Sequence, residues 1–488
     1  MLKNDFREIW EKIKKPFFWL CGINLIGISA ILRANYYYID DLGRASSGLK
    51  GWDHFSRWIS VWLSSVIHTD HYLADVAPLP QLLAVVLLAI AGAVTIYLIG
   101  GAEISPFWGI VAVVPLSLSP FYLECLSYRY DAPYIALSVL VSVVPPLLFG
   151  GSRRSHIIYL TGTVICMLIM CMTYQASSGI FPMLVAVLLF KRWNDGEKIK
   201  SLLSFIGISI LGYLIGLGIF KYLILKQVFS YVTTYQAPVL SLPSVLYENL
   251  RTYFSVIIRD FKPLWLILIA ALFLFFIIQF MLNSKRNKLS ALVAGLLLIA
   301  ILLPLSFGVY SILEKSFFAP RALYGFGAFL AFIALLSVSG RAFPLSRFAA
   351  LALSWVFFVF AFVYGNCLYV QAQYTDFRVQ MVINDLNSLE EYNNENLKIV
   401  KFSGDIGYSP LIEGIPQRNY TMLSSLLKEP FGDATDLSTT GFYYYYKLPD
   451  IVRYDLTTKL DTAKLPILKD TVYHTIRGNG TDFLIELK

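Results

Sequence analysis

Residues 16–57 pass from an apolar run, PFFWLCGINLIGISAIL (16–32), directly into a polar one, RANYYYIDDLGRASSGLKGWDHFSR (33–57). The apolar run is nearly as long as the roughly 20 residues that a helix needs to cross a bilayer. We therefore expect the adjacent carboxylates Asp40 and Asp41 to lie just beyond one membrane face. Four cations surround them in sequence: Arg33, Arg44, Lys50 and Arg57. The pattern fits a solvated, inert first loop or a site that combines a base with positive charge.

The composition is that of a membrane protein. Of the 488 residues, 57% are hydrophobic and only 15% are charged, whereas a soluble domain carries about 25% charged residues. Because apolar windows of about 20 residues recur along the chain, the sequence predicts a polytopic α-helical membrane protein. The net charge of +8 lies in short loops between spans, where it is a topology signal and indicates no nucleic-acid partner.

The apolar segments predict about eleven transmembrane helices, of which the first ends at Leu32. The others are expected at 77–99, 106–122, 133–150, 157–173, 179–190, 201–225, 263–282, 290–310, 322–338 and 348–366. Lys and Arg recur in alternate connections, which marks those connections as cytoplasmic. This bias predicts a cytoplasmic N-terminus, and an odd number of spans then puts the C-terminus on the outer side.

The composition changes near residue 367, beyond which apolar runs shorten and Asp, Asn, Thr and Tyr become frequent. We therefore divide the chain into a transmembrane domain (1–366) and a soluble α/β domain on the outer side (367–488). Three segments of the second domain have the composition of strands: Leu397–Ser403, Phe442–Tyr446 and Phe483–Leu487. The outer loops of the first domain are expected at 33–76, 123–133, 226–262 and 311–321.

Polar and charged side chains recur in these outer loops. Ionisable groups at a membrane boundary are costly unless they are hydrated, paired or used. Taken singly, each has a structural explanation: Arg129 could pair with Asp131, and Arg321 could extend to the interface. Because they share one side of the membrane, we select candidates for binding a donor phosphate or another part of a substrate: Arg44, Arg57, Tyr128, Arg129, Asp131, Tyr174, Gln175 and Arg321.

These residue types suit the transfer of a sugar from a lipid phosphate to a hydroxyl group. Arginines can neutralise the departing phosphate, and a carboxylate can remove the proton of the attacking hydroxyl. Asp40 and Asp41 are the candidate catalytic residues. Since consecutive side chains point apart, one is expected to be the base and the other to hold an arginine or a sugar hydroxyl. No nucleotide-binding motif is present, no cofactor is required, and a divalent metal at the two carboxylates is not favoured.

Neither the histidines nor the cysteines predict a metal site. A cluster of metal-binding residue types lacks a fixed scaffold in sequence: His68, Asp70, His71 and Asp75. The five cysteines form no C-x-x-C pair and lie mostly in or beside apolar segments. We therefore expect no zinc site and no disulfide framework.

Several motifs together resemble a known family. They are NYYYIDDLGR at 35–44, Gly51-Trp52, Arg57, SYRYDAP at 127–133 and YQA at 174–176. With these motifs and this layout of spans, the sequence resembles the O-antigen serotype-converting glucosyltransferases of phages and enterobacteria, the Gtr type II group of integral membrane transferases.

The resemblance implies a GT-C-like transferase with its active site on the outer loops. The implied donor is undecaprenyl phosphate glucose, and the acceptor is a sugar hydroxyl of the lipid-linked O-antigen repeat. The reaction would take place on the periplasmic side of the bacterial inner membrane, with a donor-synthesising transferase and a flippase as functional partners. Asp40 or Asp41 would match the first-loop catalytic acid of GT-C enzymes.

Two other classes remain as alternatives. A polyprenyl-lipid flippase or transporter places ionisable groups near the bilayer midplane, often in repeated halves, but here the mid-span regions are nearly free of charge. An O-antigen polymerase or ligase shares outer-face arginines and lipid-linked substrates. The acidic pair in the first loop and the large outer C-terminal domain favour the transferase.

Overall fold

The computed structural model describes residues 2–101, 104–226, 238, 240–340, 343–394, 396–428, 452–453 and 465–488. Within these ranges, helices form the membrane part of the chain, and a small sheet forms part of the C-terminal region. The predicted strand Phe442–Tyr446 lies outside the described residues, as do residues 227–237 and 239 of one predicted outer loop.

Long and short helices alternate in the part of the chain that precedes the sheet. They are α1 (Leu2–Ala34), α2 (Asp41–Ser47), α3 (Trp58–Ile67), α4 (Leu79–Gly100), α5 (Pro106–Val113), α6 (Pro115–Leu118), α7 (Pro120–Ser127), α8 (Ala132–Val143), α9 (Arg153–Thr173), α10 (Ile180–Asn194), α11 (Ile199–Ile219), α12 (Leu242–Asp260), α13 (Pro263–Leu282), α14 (Lys288–Leu305), α15 (Pro320–Leu323), α16 (Gly325–Val338) and α17 (Pro344–Asn387). Short 3-10 helices lie at Trp52–Phe55, Pro145–Leu148, Gln175–Gly179 and Gly308–Ile312, and a π-helical turn lies at Phe220–Ile224.

The polytopic helical architecture is confirmed, although two of the predicted spans are broken or short. Nine helical segments in the described ranges are long and apolar enough to cross a membrane. A tenth results if α5–α6 and α7, which meet at a bend of 60°, count as one span. The predicted segment 133–150 forms only a shorter apolar helix, Ala132–Leu148. Proline explains both differences, because it lacks the amide hydrogen and clashes with the preceding turn; the residues concerned are Pro115, Pro120, Pro145 and Pro146.

The span formed by α15 and α16 is the most enclosed of these helices, with 94% of its apolar window buried. Gly327 allows α16 to approach the bend between α6 and α7, because a Cβ atom there would lie only 2.5 Å from the carbonyl oxygen of Pro115. As a result, α15, which carries Arg321, packs against α7, which carries Glu124. The close contact of these helices therefore fixes one side of the candidate site.

The last helix continues well past the membrane. It contains 44 residues and so extends about 66 Å, whereas the hydrocarbon core is about 30 Å thick. It crosses the predicted boundary between residues 366 and 367 without a break. The outer end of α17 therefore belongs to the C-terminal region rather than to the bilayer.

The described strands form one mixed sheet that packs on this outer end of α17. They are β1 (Lys398–Ser403), β2 (Val452–Arg453), β3 (Ile467–Asp470), β4 (His474–Gly478) and β5 (Asp482–Leu487). Their order is β2-β1-β5-β4-β3, with β1 parallel to both of its neighbours and the remaining pairs antiparallel. Val379 and Val382 of α17 pack with Phe483 of β5. The strands predicted at 397–403 and 483–487 are confirmed.

Residues 408–428, which we call the docking segment, pack on the membrane part instead of on the sheet. This segment contains α18 (Pro410–Glu413), α19 (Ile415–Asn419) and α20 (Met422–Leu426). Its buried apolar side chains belong to the same core as the transmembrane helices: Ile412, Met422, Leu423, Leu426 and Leu427. The C-terminal region therefore contributes both a sheet and a segment that packs against α7 and α12.

Candidate active site

Asp41 is the first residue of α2 and joins the first loop to the connection between α7 and α8. Its carboxylate is completely buried, and Oδ2 accepts hydrogen bonds from the backbone N–H groups of Tyr38 and Arg129, each at 3.0 Å. The loop turns through Asn35 and Ile39, both with φ of 47°, which costs about 1–3 kcal/mol in a non-glycine residue. Burial raises the pKa of Asp41 well above its ordinary value. Asp41 therefore anchors the loop in a strained conformation.

Asp40 directly precedes α2 and has a more open environment. Its side chain is 55% exposed, and Nη2 of Arg44 lies 3.7 Å from its Oδ2. The two consecutive carboxylates thus point into different surroundings, one enclosed by backbone donors and one bordering solvent and an arginine. Asp40 has room beside it for a substrate hydroxyl, whereas Asp41 has none.

Arg44 and Asp131 form a largely buried ion pair between the first loop and the start of α8. Nη1 of Arg44 contacts Oδ2 of Asp131, and the two side chains are 11% and 10% exposed. Nε1 of Trp52 donates to Oδ1 of Asp131 at 2.6 Å, and the guanidinium of Arg44 lies 4.6 Å from the Trp52 ring centroid. Both carboxylate oxygens of Asp131 are therefore occupied, and the pair holds α2 against α8.

Arg129 is buried and forms a second ion pair, although its partner is not the one considered from the sequence. Nη2 of Arg129 lies 2.8 Å from Oδ2 of Asp75, and Nη1 donates to the carbonyl oxygen of Asn35 at 3.3 Å. The hydroxyl of Tyr37 donates to the same Asp75 oxygen at 2.9 Å. Arg129 therefore fixes the start of the first loop, because Asp131 is already engaged by Arg44.

Glu124 of α7 is fully buried and binds the start of α15. Its Oε1 accepts from Nη1 of Arg321 at 2.6 Å, and its Oε2 accepts from the backbone N–H of Arg321 at 2.5 Å. The hydroxyl of Tyr38 lies 3.3 Å from Oε1. The side chain of Arg321 nevertheless remains 24% exposed, so this guanidinium is oriented by Glu124 and still accessible.

Arg57 is held without a carboxylate partner among the residues that the structure describes. Its Nε donates to Oε1 of Gln175 at 3.2 Å. The guanidinium lies 4.5 Å from the ring centroid of Tyr174 and 4.7 Å from that of Phe55. Arg57 is half-buried, and among the described residues its guanidinium contacts only aromatic faces and an amide. Its positive charge is therefore available to bind an anion.

Three phenols, Tyr128, Tyr174 and Tyr310, form what we call the tyrosine cluster, and this cluster links Arg57 to Arg321. The guanidinium of Arg321 lies 6.0 Å from the ring centroid of Tyr128. Burial raises the pKa of Tyr174 and of Tyr310, and both Arg321 and Arg57 oppose the two shifts. Both guanidinium groups are therefore close enough to Tyr174 and Tyr310 to interact with them electrostatically.

Asp40 lies near the same tyrosine cluster. Burial raises the pKa of Tyr128, Arg321 lowers it, and the charges of Glu124 and Asp40 raise it further. The exposed carboxylate of the first loop and the accessible guanidinium of Arg321 thus both lie near Tyr128. A candidate base and a candidate phosphate-binding cation therefore lie near Tyr128, and a second cation, Arg57, contacts Tyr174.

The candidate residues selected from the sequence fall into two groups. Those at or beside the tyrosine cluster are Asp40, Arg57, Tyr128, Tyr174, Gln175 and Arg321. Those in the buried network that holds the first loop are Asp41, Arg44, Arg129 and Asp131. Sequence reasoning treated both groups alike, since burial cannot be read from a list of charged residues.

Several residues of the site were not selected from the sequence. Tyr38 and Trp52 are fully buried and connect the loop to Glu124 and Asp131. In contrast to the buried Trp52, Trp58 and Trp62 on α3 are exposed. In the described residues, no group of three or more His, Cys, Asp or Glu is arranged as a metal site.

Comparisons with known proteins identify a family and one relative that resemble this chain. The sequence profile of the family described as "Glucosyl transferase GtrII" matches residues 29–332, which is more than half of the chain. A protein of Salmonella phage P22 described as an uncharacterized 55.3 kDa protein in the gtrB 5′ region is 25% identical over 195 residues. This match covers 40% of the present chain and 39% of the phage protein, well under half the length of either. No solved structure matches the chain.

Proposed function

The chain belongs to the GtrII family of glucosyl transferases, and on that premise we propose that it moves a glucosyl residue from undecaprenyl phosphate glucose to a sugar hydroxyl of lipid-linked O-antigen. The reaction takes place on the periplasmic side of the bacterial inner membrane, with the N-terminus in the cytoplasm and the C-terminal α/β domain in the periplasm. A separate transferase makes the donor, a flippase delivers it, and the product carries a modified O-antigen.

In this proposal Asp40 is the general base. It removes the proton of the acceptor hydroxyl as the hydroxyl oxygen attacks the anomeric carbon. The bond between that carbon and the phosphate oxygen breaks, and its electron pair stays on undecaprenyl phosphate. The exposure of Asp40 beside the tyrosine cluster supports this role, whereas the enclosed Asp41 acts as a positioning residue.

Arg57 and Arg321 hold the donor phosphate and stabilise the charge that accumulates on it. Guanidinium groups suit this task, because they stay protonated and present several donors to phosphate oxygens. Gln175 and the phenols of Tyr128 and Tyr174 offer hydrogen bonds to sugar hydroxyls. The observation that carries the proposal is the half-buried Arg57, which lacks a carboxylate partner in the described residues and shares the tyrosine cluster with Arg321.

The remaining candidates shape the site without touching the substrate. Arg44 pairs with Asp131, and Arg129 pairs with Asp75. These ion pairs fix the first loop, so their loss affects activity through the position of Asp40. The proposed chemistry needs no cofactor and no divalent metal, because the phosphate is neutralised by arginines and is itself a good leaving group.

The test is transfer by the purified, reconstituted protein from polyprenyl-phosphate glucose to lipid-linked O-antigen, with and without EDTA. Wild-type protein is compared with Asp40→Asn. We expect transfer that survives EDTA and is abolished in the variant. Loss of wild-type transfer in EDTA would recast the carboxylates as metal ligands. A wild-type protein that uses no polyprenyl-phosphate sugar would instead support the flippase or polymerase alternatives.

A further inference from the structure

The docking segment (residues 408–428) reaches the candidate active site from the C-terminal region. Its helix α20 packs against α7, the helix that carries Glu124. The hydroxyl of Tyr38 donates to the carbonyl oxygen of Leu426 at 2.5 Å and also lies 3.3 Å from Glu124. The end of the docking segment is therefore one side chain away from the buried pair of Glu124 and Arg321.

Polar contacts fix the other side of the segment to the outer ends of α12 and α13. Ser425 Oγ donates to Oδ2 of the buried Asp260 at 2.8 Å, and Thr421 Oγ1 donates to the carbonyl oxygen of the same residue at 3.1 Å. The ammonium group of Lys262 lies 4.2 Å from the ring centroid of Tyr420. The segment is thus held on both sides and presents its last residue in a defined position.

That last residue is Lys428, a cation without an ion-pair partner in the described ranges. Its Nζ donates to the carbonyl oxygen of Ser425 at 2.9 Å. Both nearby buried carboxylates already have cationic partners, Glu124 with Arg321 and Asp260 with Arg259. Among the described residues, Lys428 is therefore a positive charge that no carboxylate pairs.

The environment of Lys428 disfavours that charge in the absence of an anion. Burial lowers the pKa of the Lys428 ammonium; Arg321 lowers it further, while Glu124 and Asp260 oppose the shift. Lys428 and Arg321 are thus close enough to repel each other. The carboxylate near both of them, Glu124, is already neutralised by Arg321. A partly buried excess cation is costly unless it is paired, so this position is suited to an anionic ligand.

We propose that the docking segment forms part of the donor site and that Lys428, together with Arg321, binds the phosphate of the polyprenyl-phosphate sugar. The inference rests on the proposed function and adds to it a cation from outside the residues that the family profile matches. As the bond from the anomeric carbon to the phosphate oxygen breaks, the phosphodiester becomes a monoester and gains negative charge. Lys428 therefore interacts more strongly with the departing phosphate than with the bound donor.

The experiment compares wild type, Lys428→Gln and Lys428→Arg, with Lys401→Gln as the matched control. Lys401 lies on β1 of the sheet, outside the docking segment. Two quantities are measured: the KM for each substrate in the transfer assay, and the affinity of the purified protein for undecaprenyl phosphate in nanodiscs. We expect Lys428→Gln to lower kcat, because the departing phosphate loses a cation, and to raise the donor KM. Binding of undecaprenyl phosphate should weaken by about tenfold or more, the effect of losing one charge-assisted hydrogen bond. The acceptor KM should not change, Lys428→Arg should restore most of the affinity, and Lys401→Gln should resemble wild type.

Other outcomes separate this inference from the proposed function. If wild type binds and uses the donor while Lys428→Gln keeps the same donor KM and affinity, Lys428 is not part of the phosphate site. If the variant lowers kcat with both KM values unchanged and Lys428→Arg gives no rescue, the residue only supports the fold, and the inference is overturned. If the loss of affinity disappears in nanodiscs without anionic lipid, Lys428 binds bulk headgroups instead. A wild type with no affinity for any polyprenyl phosphate overturns the proposed function itself.

Discussion

Substitution of the two first-loop aspartates should separate catalysis from stability. Asp41→Ala removes the acceptor for two buried N–H groups, and each buried donor left without a partner costs about 1–3 kcal/mol. We therefore expect a loss of roughly 2–6 kcal/mol in the free energy of unfolding, a large part of the 5–15 kcal/mol that a typical domain has. Asp41→Asn keeps an oxygen that accepts both N–H groups and removes the buried charge, so its stability should stay close to that of wild type.

Asp40→Asn should have the opposite profile. The half-exposed side chain contacts Arg44 at only 3.7 Å, and an exposed pair of this kind contributes about 1 kcal/mol or less. The loss of a general base lowers the rate by roughly 10²–10⁴-fold, so transfer should fall below detection while the protein stays folded. Asp41→Asn, which preserves the loop, should retain a substantial part of the wild-type rate.

The assay combines thermal unfolding of the detergent-solubilised variants with glucosyl transfer from polyprenyl-phosphate glucose in proteoliposomes. The assignment is refuted if Asp40→Asn transfers at the wild-type rate while Asp41→Asn is folded and inactive. In that case the buried carboxylate is the base, and the first loop must open during the reaction.

Three further predictions concern the phosphate site, pH and packing. Arg57→Gln should raise the donor KM by about tenfold or more with no change in melting temperature, and equal effects on both substrates would contradict a specific role in donor binding. Burial raises the pKa of the Asp41 carboxyl, so the contribution of this group to stability is fully present below pH about 3.9, the unfolded value, and declines as the pH rises through the folded pKa. When unfolding is followed against pH, Asp41→Asn should lack this decline. Gly327→Ala would place a Cβ 2.5 Å from the carbonyl oxygen of Pro115 and should cost about 1–3 kcal/mol through overpacking, and an unchanged melting temperature would show that α16 can shift freely.

Much of the architecture follows from local sequence patterns. Apolar runs of sufficient length predict spans wherever proline does not interrupt them, and the first run places Asp40 and Asp41 directly after α1, as the structure has them. The strand-like composition of 397–403 and 483–487 predicts β1 and β5 correctly. These features can be predicted because hydrophobicity and strand propensity depend on the local residues, and the bilayer selects strongly for helical length.

The pairing of charges cannot be predicted in the same way. Arg129 is two residues from Asp131, yet it pairs with Asp75, while Asp131 pairs with the distant Arg44. Each arginine in the outer loops has several carboxylates within reach in principle. Which pair forms depends on how α1, α7 and α8 pack, and this packing is a property of residues far apart in the chain.

The sequence by itself therefore determined that the protein is a polytopic helical membrane protein, which family it belongs to and which loops carry its charged residues. The tertiary structure decided that Asp41 is enclosed while Asp40 is exposed, that Arg57 and Arg321 share the tyrosine cluster, and that residues 408–428 contact the membrane part. The physical reason is that residue type fixes which charges exist, whereas burial and distance fix which of them are neutralised by neighbours and which are left to bind a substrate.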